Sequence, residues 1–156
     1  MMNRTLVFDM DGTIANLYGV EGWLDDLIAK RVRPYAEAKP LYDMVTMKTV
    51  LEILKGMGWR IAVTSWLAKN SNTEYDNAVR EVKKAWLDEY DFPYDVLNIV
   101  AYGTDKSTVT ERIGGFQILI DDEEKNLNDW KNGLTIDAKC DILNVLLKMI
   151  DKDGEF

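Results

Sequence analysis

Continuous apolar runs recur along the chain and alternate with longer segments whose apolar residues follow a helical period. The runs are rich in Val, Ile, Leu and Phe and are continuous rather than alternating with polar residues, which is typical of strands buried on both faces of a parallel sheet. They occupy residues 5–8, 59–65, 96–102 and 116–121, with a weaker run at 134–136. The pattern therefore predicts a parallel sheet of about five strands.

Helical periodicity between the runs predicts helices over residues 46–57, 73–90, 105–113 and 138–150. Alternation of strands with helices is the pattern of an α/β fold, in which helices cover both faces of a parallel sheet. We expect a doubly wound, Rossmann-like sheet in a single domain over residues 1–156, because a chain of this length suits one core.

One segment departs from this alternation. About thirty residues separate the first strand from the helix at 46–57, far more than an ordinary strand-to-helix connection needs. We therefore expect a core of 1–15 and 45–156 and a small, mostly helical insertion over about 16–44. Pro34 and Pro40 are expected to break any helix that follows the first one. Apolar residues at amphipathic spacing predict that first helix: Val20, Trp23, Leu24, Leu27 and Ile28.

Composition and charge exclude several classes of function. A net charge of -8 argues against a broad surface that tracks nucleic-acid phosphates, but it allows a local site for a small anion. The chain has one cysteine and no histidine, so disulfides, imidazole metal sites and Ser-His-Asp or Cys-His nucleophiles are excluded. No run approaches membrane-spanning length, and the first apolar run is too short for a signal peptide. We expect a soluble, cytoplasmic protein.

Acids, hydroxyls and a lysine follow the predicted strands. In an open parallel sheet, ligands bind at the carboxyl ends of the strands, so these side chains are expected to converge at one edge. Lys106 stands near the start of the helix after the third strand. The strand ends themselves supply the rest of the set: Asp9, Asp11, Thr13, Thr64, Ser65, Asp121 and Asp122.

This set suits phosphate chemistry. Carboxylates crowded together repel one another unless a divalent cation lies between them, and carboxylates with waters and a substrate phosphate are typical Mg²⁺ ligands. The candidate metal ligands are Asp9, Asp11, Asp121 and Asp122. A carboxylate beside a bound phosphate is a candidate nucleophile, and a second acid can protonate the leaving oxygen and then activate water.

Asp11 is placed for that second role, two residues after Asp9. The candidate phosphate-binding residues are Gly12, where backbone can approach closely, the hydroxyls of Thr64 or Ser65, and Lys106. Simpler interpretations remain open. The two aspartates could cap a turn, Asp121 or Asp122 could cap a helix, and Lys106 could be a solvated surface lysine.

The sequence "DMDGT", with Asp9 and Asp11, resembles the DxDGT signature of the haloacid dehalogenase-like (HAD) phosphohydrolases. Thr64, Lys106 and the Asp121-Asp122 pair resemble the second, third and fourth motifs of that family, in the same order along the whole chain. The resemblance implies that Asp9 is the nucleophile and a Mg²⁺ ligand. It also implies that Asp11 is the general acid/base, with its backbone carbonyl on the metal.

For the remaining motifs, the resemblance implies that Thr64 binds the transferring phosphoryl group and that Lys106 orients Asp9. It implies that Asp121 reaches the metal directly and that Asp122 either reaches it through water or contacts the ligands around it, although the order within this pair stays open. The insertion resembles the small caps of deoxyribonucleotidase-like members of the family. The expected function is therefore Mg²⁺-dependent hydrolysis of a nucleotide-type or other small phosphate monoester, through an aspartyl phosphate.

Other functions remain as alternatives. A polynucleotide 3′-phosphate end is a substrate that we do not favour, and a non-catalytic phospholigand- or partner-binding module would need a damaged site that the motifs do not show. Phosphoryl transfer to another acceptor and dehalogenase chemistry are further options within the family. Cap side chains that could contact a base are Tyr18, Trp23 and Tyr35, although for Trp23 we favour a position in an amphipathic helix that packs on the core. Those that could contact phosphates are Lys30, Arg31, Arg33 and Lys39.

Overall fold

The computed structural model describes residues 3–156, so the first two residues of the predicted core lie outside the described part. The strands are β1 (Arg4–Phe8), β2 (Ala15–Asn16), β3 (Lys39–Pro40), β4 (Trp59–Trp66), β5 (Val96–Val100), β6 (Phe116–Asp121) and β7 (Gly133–Asp137). Five of them form a parallel sheet in the order β5-β4-β1-β6-β7. The predicted α/β parallel sheet of about five strands is confirmed.

Helices cover both faces of this sheet. They are α1 (Trp23–Ile28), α2 (Arg33–Glu37), α3 (Met44–Gly56), α4 (Thr73–Glu89), α5 (Lys106–Thr110), α6 (Glu124–Asp129) and α7 (Ile142–Asp151). Successive side chains of a strand point to opposite faces. Leu6 and Phe8 accordingly join the main core with residues of α3, α4 and α7, whereas Val7 packs with Trp130 on the other face. Within the described residues, none of the helices has the length and apolarity that a bilayer crossing requires.

Side-chain caps explain where the predicted helices begin. α3 begins at Met44 because the Asp43 carboxylate accepts hydrogen bonds from the Val45 and Thr46 amides. α7 begins at Ile142, later than the sequence predicts, because Asp141 caps it by accepting from the Asn144 amide. Each cap satisfies backbone donors that a helix leaves free at its first turn.

The segment between β1 and α3 is less helical than the sequence predicts. β2 and β3 pair as an antiparallel ribbon, with Ala15 opposite Pro40. The first helix begins at Trp23 and not at Val20, because Gly22 adopts a left-handed conformation. The expectation that Pro34 breaks the following helix is wrong. Pro34 lies in the first turn of α2, where its missing N–H costs nothing.

The orientation of α1 also differs from the amphipathic prediction. Leu24 and Ile28, which were expected to pack on the core, are 53% and 69% exposed. The buried residue of this helix is Asp26, which accepts hydrogen bonds from Arg31 and Arg33. The ion-paired Asp26 therefore lies on the buried side of α1, and the apolar side chains of Leu24 and Ile28 lie on its exposed side.

Candidate active site

The carboxyl ends of β1, β4 and β6 bring the predicted residues to one edge of the sheet. β1 lies between β4 and β6, and its last residue, Phe8, pairs with Val63 on one side and Ile120 on the other. Asp9 therefore leaves the central strand between Thr64 and Asp121, the next residues of the flanking strands. This convergence depends on strand order, which the sequence alone does not contain.

Lys106 is buried at the centre of this edge. Its ammonium donates to Asp9 Oδ1 and to Asp121 Oδ2, each at 2.8 Å, and only 3% of the residue is exposed. Burial works against its charge, but the facing carboxylates of Asp9 and Asp121 outweigh it and raise the pKa of Lys106. The interpretation of Lys106 as a solvated surface lysine is therefore wrong.

Protein donors contact both carboxylate oxygens of Asp121. Besides Lys106, its Oδ2 accepts from Asn126 Nδ2 at 3.1 Å, and its Oδ1 accepts from the Glu123 amide at 2.9 Å. Burial, with the charge of Asp9, raises the pKa of Asp121 to about 6 despite the nearby ammonium. Both oxygens of this side chain are thus already occupied.

Asp122 stands in a different environment. Within residues 3–156, no other residue donates a hydrogen bond to its side chain, whereas Asp9 and Asp121 lie close enough that one oxygen from each of the three carboxylates falls within 4.8 Å of the others. Burial and the charge of Asp9 raise the pKa of Asp122 to about 8. Lys106 pairs with Asp9 and Asp121 but not with Asp122. The all-oxygen donor set of these three acids suits a hard divalent cation.

Asp11 is held by a residue that the sequence reasoning missed. The ammonium of Lys83, in α4, donates to Asp11 Oδ2 at 2.7 Å, and Lys83 has no exposed surface. Burial raises the pKa of Asp11, and Lys83 offsets part of this effect. The available signal was its position in the apolar stripe of the helix, four residues after Val79 and three before Trp86, where a solvated lysine does not belong.

The hydroxyls of Thr64 and Ser65 are completely buried. Thr64 Oγ1 accepts from Asn98 Nδ2 at 3.4 Å, and Ser65 Oγ accepts from Lys83 at 2.8 Å. Neither residue lies among those that line the cavity above Asp9. Phosphate binding by Thr64 or Ser65 therefore stays a prediction.

Gly12 has a left-handed backbone, with φ of +81°, and it packs against side chains of the site. A β-carbon there would overlap the Asp122 carboxylate and would lie 2.9 Å from Tyr18 Cε2. The sequence predicts that this glycine admits the phosphate. In the structure it makes room for the acid and for an aromatic ring of the insertion.

We expect Gly12→Ala to lower the free energy of unfolding by about 3 kcal/mol, through backbone strain together with overpacking. Gly103→Ala is the matched control, because Gly103 has nearly the same φ, +83°, but nothing within 4 Å of the added carbon. In that variant the free energy of unfolding should fall by only about 1 kcal/mol, which is the contribution of backbone strain alone. Urea unfolding measures both, and equal losses would show that contact with Asp122 is not what requires the glycine.

A cavity of about 580 Å³ opens above the acids, which form its floor. Leu24 and Ile28, the exposed apolar residues of α1, are among the residues that line this cavity. The insertion contributes Tyr18 and Trp23, whose rings lie 4.9 Å apart, and they are joined by Tyr35. The sheet side contributes Trp66 and Tyr102, 5.0 Å apart, with Leu67. Trp23 therefore lines a cavity, and the expectation that it packs on the core is not met.

The basic residues of the insertion differ in what they contact. Arg31 and Arg33 form ion pairs with Asp26, and Arg33 also pairs with Glu37 at 2.7 Å, so the expectation that they meet substrate phosphates is not supported. Lys30 lies at the cavity, as do Lys69 and Asn70 from the loop after β4. Lys39 belongs to the short ribbon strand β3, away from the residues that line the cavity.

Comparisons with known proteins support the fold. No family model matches the sequence, and no curated protein matches it. Among solved structures, the chain is similar to D,D-heptose 1,7-bisphosphate phosphatase from Burkholderia thailandensis. The TM-score is 0.56 at 13% sequence identity, over 94% of this chain and 98% of that one. The chain therefore shares its α/β fold with that enzyme.

Proposed function

We propose that this protein is a Mg²⁺-dependent phosphomonoester hydrolase that acts through an aspartyl phosphate on Asp9. One observation carries the proposal: Asp9 ends the central strand at the floor of the cavity, between the ammonium of Lys106 and the carboxylate of Asp122. A carboxylate placed beside a lysine and a cation site can meet an incoming phosphate without net repulsion. The fold shared with a phosphatase is consistent with this chemistry.

The metal ligands that we propose are the carboxylates of Asp9 and Asp122 and the backbone carbonyl of Asp11. Asp121 is the less suitable direct ligand, because Lys106, Asn126 and the Glu123 amide already occupy its oxygens. This reverses the order that the family resemblance implies for the acid pair. Asp121 instead holds Lys106 in place, and Mg²⁺ would supply positive charge beside the phosphoryl oxygens.

The reaction that we propose has two steps. A carboxylate oxygen of Asp9 attacks phosphorus, a P–O bond to Asp9 forms, and the bond to the leaving oxygen breaks as Asp11 gives that oxygen a proton. A water then attacks the aspartyl phosphate while Asp11 takes back a proton, which releases phosphate and restores Asp9. Lys106 donates to Asp9 Oδ1, and Thr13 donates to Oδ2 at 3.1 Å, so the nucleophile is held on both sides.

We propose a leaving group with a flat, apolar part, as in a nucleotide. The supporting observation is the pair of aromatic walls: Tyr18 with Trp23 on the insertion, and Trp66 with Tyr102 on the sheet side. A sugar phosphate without a base would leave these walls unused. In this proposal residues 16–44 act as a small cap on a core of 1–15 and 45–156. A polynucleotide 3′-phosphate end is less suited, because a net charge of -8 works against binding along a nucleic-acid backbone.

The test is phosphate release from a panel of deoxynucleoside 5′-monophosphates, sugar phosphates, a 3′-phosphorylated oligonucleotide and p-nitrophenyl phosphate. We expect turnover that needs Mg²⁺, stops with chelator and favours the nucleotides. The Mg²⁺ concentration for half-maximal activity should be higher at pH 6 than at pH 8, because protons compete for Asp122, whose pKa is raised to about 8. Turnover that survives the chelator refutes the metal role. Binding of Mg²⁺ and phosphate without turnover favours a non-catalytic module.

A further inference from the structure

Lys83 takes no part in the two steps above, yet it is one of the most enclosed charged groups of the protein. Its three N–H donors are all used, by Asp11 Oδ2 at 2.7 Å, Ser65 Oγ at 2.8 Å and the Trp66 carbonyl at 2.8 Å. The ammonium also lies 4.9 Å from the centre of the Tyr35 ring, in cation–π geometry. Three hydrogen-bond acceptors and one aromatic ring therefore fix the position of the Lys83 ammonium.

An ammonium without solvent contact is costly to bury, and an apolar residue of similar volume is often as stable in such a place. Packing of α4 against the sheet therefore does not call for a lysine here. Its neighbour Lys84 shows the ordinary arrangement, with an exposed side chain paired to Asp88 one turn later. The difference between the two lysines points to a task for Lys83 other than stability.

The bonds of Asp11 indicate that task. Lys83 holds one carboxylate oxygen, Oδ2, and among residues 3–156 no hydrogen bond is made to the other, Oδ1. Asp11 lines the cavity, and 16% of its side chain is exposed. One oxygen is thus anchored to the core while the other is open to a ligand. A carboxylate that is fixed in this way presents a single oxygen in a single direction.

We propose that Lys83 is a positioning residue that anchors Asp11 so that its free oxygen meets the leaving group of the substrate. This inference rests on the proposed function, in which Asp11 is the general acid/base. Tyr35 of α2 covers the same ammonium, so the anchor lies where the insertion contacts the core. Each of the two carboxylates that act in the reaction then has its own buried lysine: Lys106 for Asp9 and Lys83 for Asp11.

The experiment compares Lys83→Met with Lys84→Met on two substrates. p-Nitrophenyl phosphate has a good leaving group that needs little protonation, whereas a nucleotide has a poor alkoxide leaving group that needs a general acid. Because general acids contribute about 10²–10⁴-fold, we expect Lys83→Met to lower kcat for the nucleotide by about 100-fold or more, and for the aryl ester by less than about 10-fold. Lys84→Met should leave both values unchanged.

The same change in an Asp11→Asn background should cause no additional loss, because the anchored group is gone. Lys83→Gln keeps a donor for Asp11 and should give an intermediate loss, and it serves as the test variant if Lys83→Met does not fold. Equal losses on both substrates, or full activity on the nucleotide, would overturn the inference while leaving the proposed function intact.

The position of the Asp11 carboxylate in crystal structures tests the positioning role of Lys83 separately from the proposed hydrolase function. If the unmodified protein hydrolyses neither substrate, the proposed function fails, and crystal structures of the Lys83→Met and Lys84→Met variants decide the positioning role. We expect the Asp11 carboxylate to move by more than about 1 Å in the first variant, the scale on which misplacement matters for catalysis, and to stay in place in the second. An unmoved carboxylate in Lys83→Met would show that Lys83 does not hold it.

Discussion

The Asp9→Asn variant is expected to lose hydrolysis of every substrate by about 10⁴-fold or more, because an amide cannot take the place of an attacking carboxylate. Initial rates with p-nitrophenyl phosphate in excess Mg²⁺ measure this loss. The variant should remain folded, because the amide removes a charge from a group of three acids whose oxygens lie within 4.8 Å of one another. A normal thermal transition therefore distinguishes loss of chemistry from loss of structure.

Asp137→Asn is the matched control for Asp9→Asn. Asp137 also ends a strand of the parallel sheet, where it pairs with Asp121 in register, but it is exposed at the edge strand β7. Its side chain accepts from the Lys139 amide at 2.9 Å and lies 3.8 Å from the exposed Lys139 ammonium, so its contacts are local. We expect activity within about twofold of the unmodified protein, the scale of an ordinary surface change. If Asp9→Asn kept even a hundredth of the activity, Asp9 would not be the nucleophile.

Lys106→Met is expected to remove activity and to lower the free energy of unfolding by about 3–5 kcal/mol at pH 8 without metal. The reason is that the change leaves Asp9 and Asp121 buried and charged with no cation between them. The loss should shrink at pH 5, below the raised pKa of Asp121 of about 6, because protonation removes part of the uncompensated charge. Urea unfolding at the two pH values measures both effects.

Two further variants make this prediction specific. Adding Asp121→Asn to Lys106→Met should restore part of the lost stability, because one of the unpaired charges is removed. Lys125→Met removes an exposed lysine that pairs with Asp129 one turn later, and it should have no measurable effect on unfolding. A Lys106→Met protein as stable as the unmodified one would mean that the buried lysine does not compensate these acids.

The sequence by itself determined the class of fold and the position of most groups at the floor of the cavity. Continuous apolar runs identify strands of a parallel sheet, and residues after such runs lie at its carboxyl edge. This reasoning predicted that Asp9, Asp121 and Lys106 gather at one edge, and in the structure Lys106 donates to both acids. It succeeds because an apolar run and the residues that follow it can both be identified from the local sequence.

The tertiary structure decided which side chains are buried and which are exposed. Lys83 is enclosed because α4 passes behind Asp11 and Ser65, residues that are distant along the chain. The apolar side of α1 is turned toward a cavity because Asp26 pairs inward with two arginines. A helical pattern shows which residues share a face but not what that face contacts.

The contacts of the two adjacent acids were likewise decided by the tertiary structure. Asp121 and Asp122 are adjacent and chemically identical, and no local pattern separates them. They differ in their contacts, because Asp121 accepts from Lys106 and Asn126, whereas Asp122, just after the end of β6, lies beside Gly12. The sequence therefore determined which chemical groups gather at this edge. The packing of strands and helices, which joins residues far apart in the chain, decided which of them are anchored and which can meet a ligand.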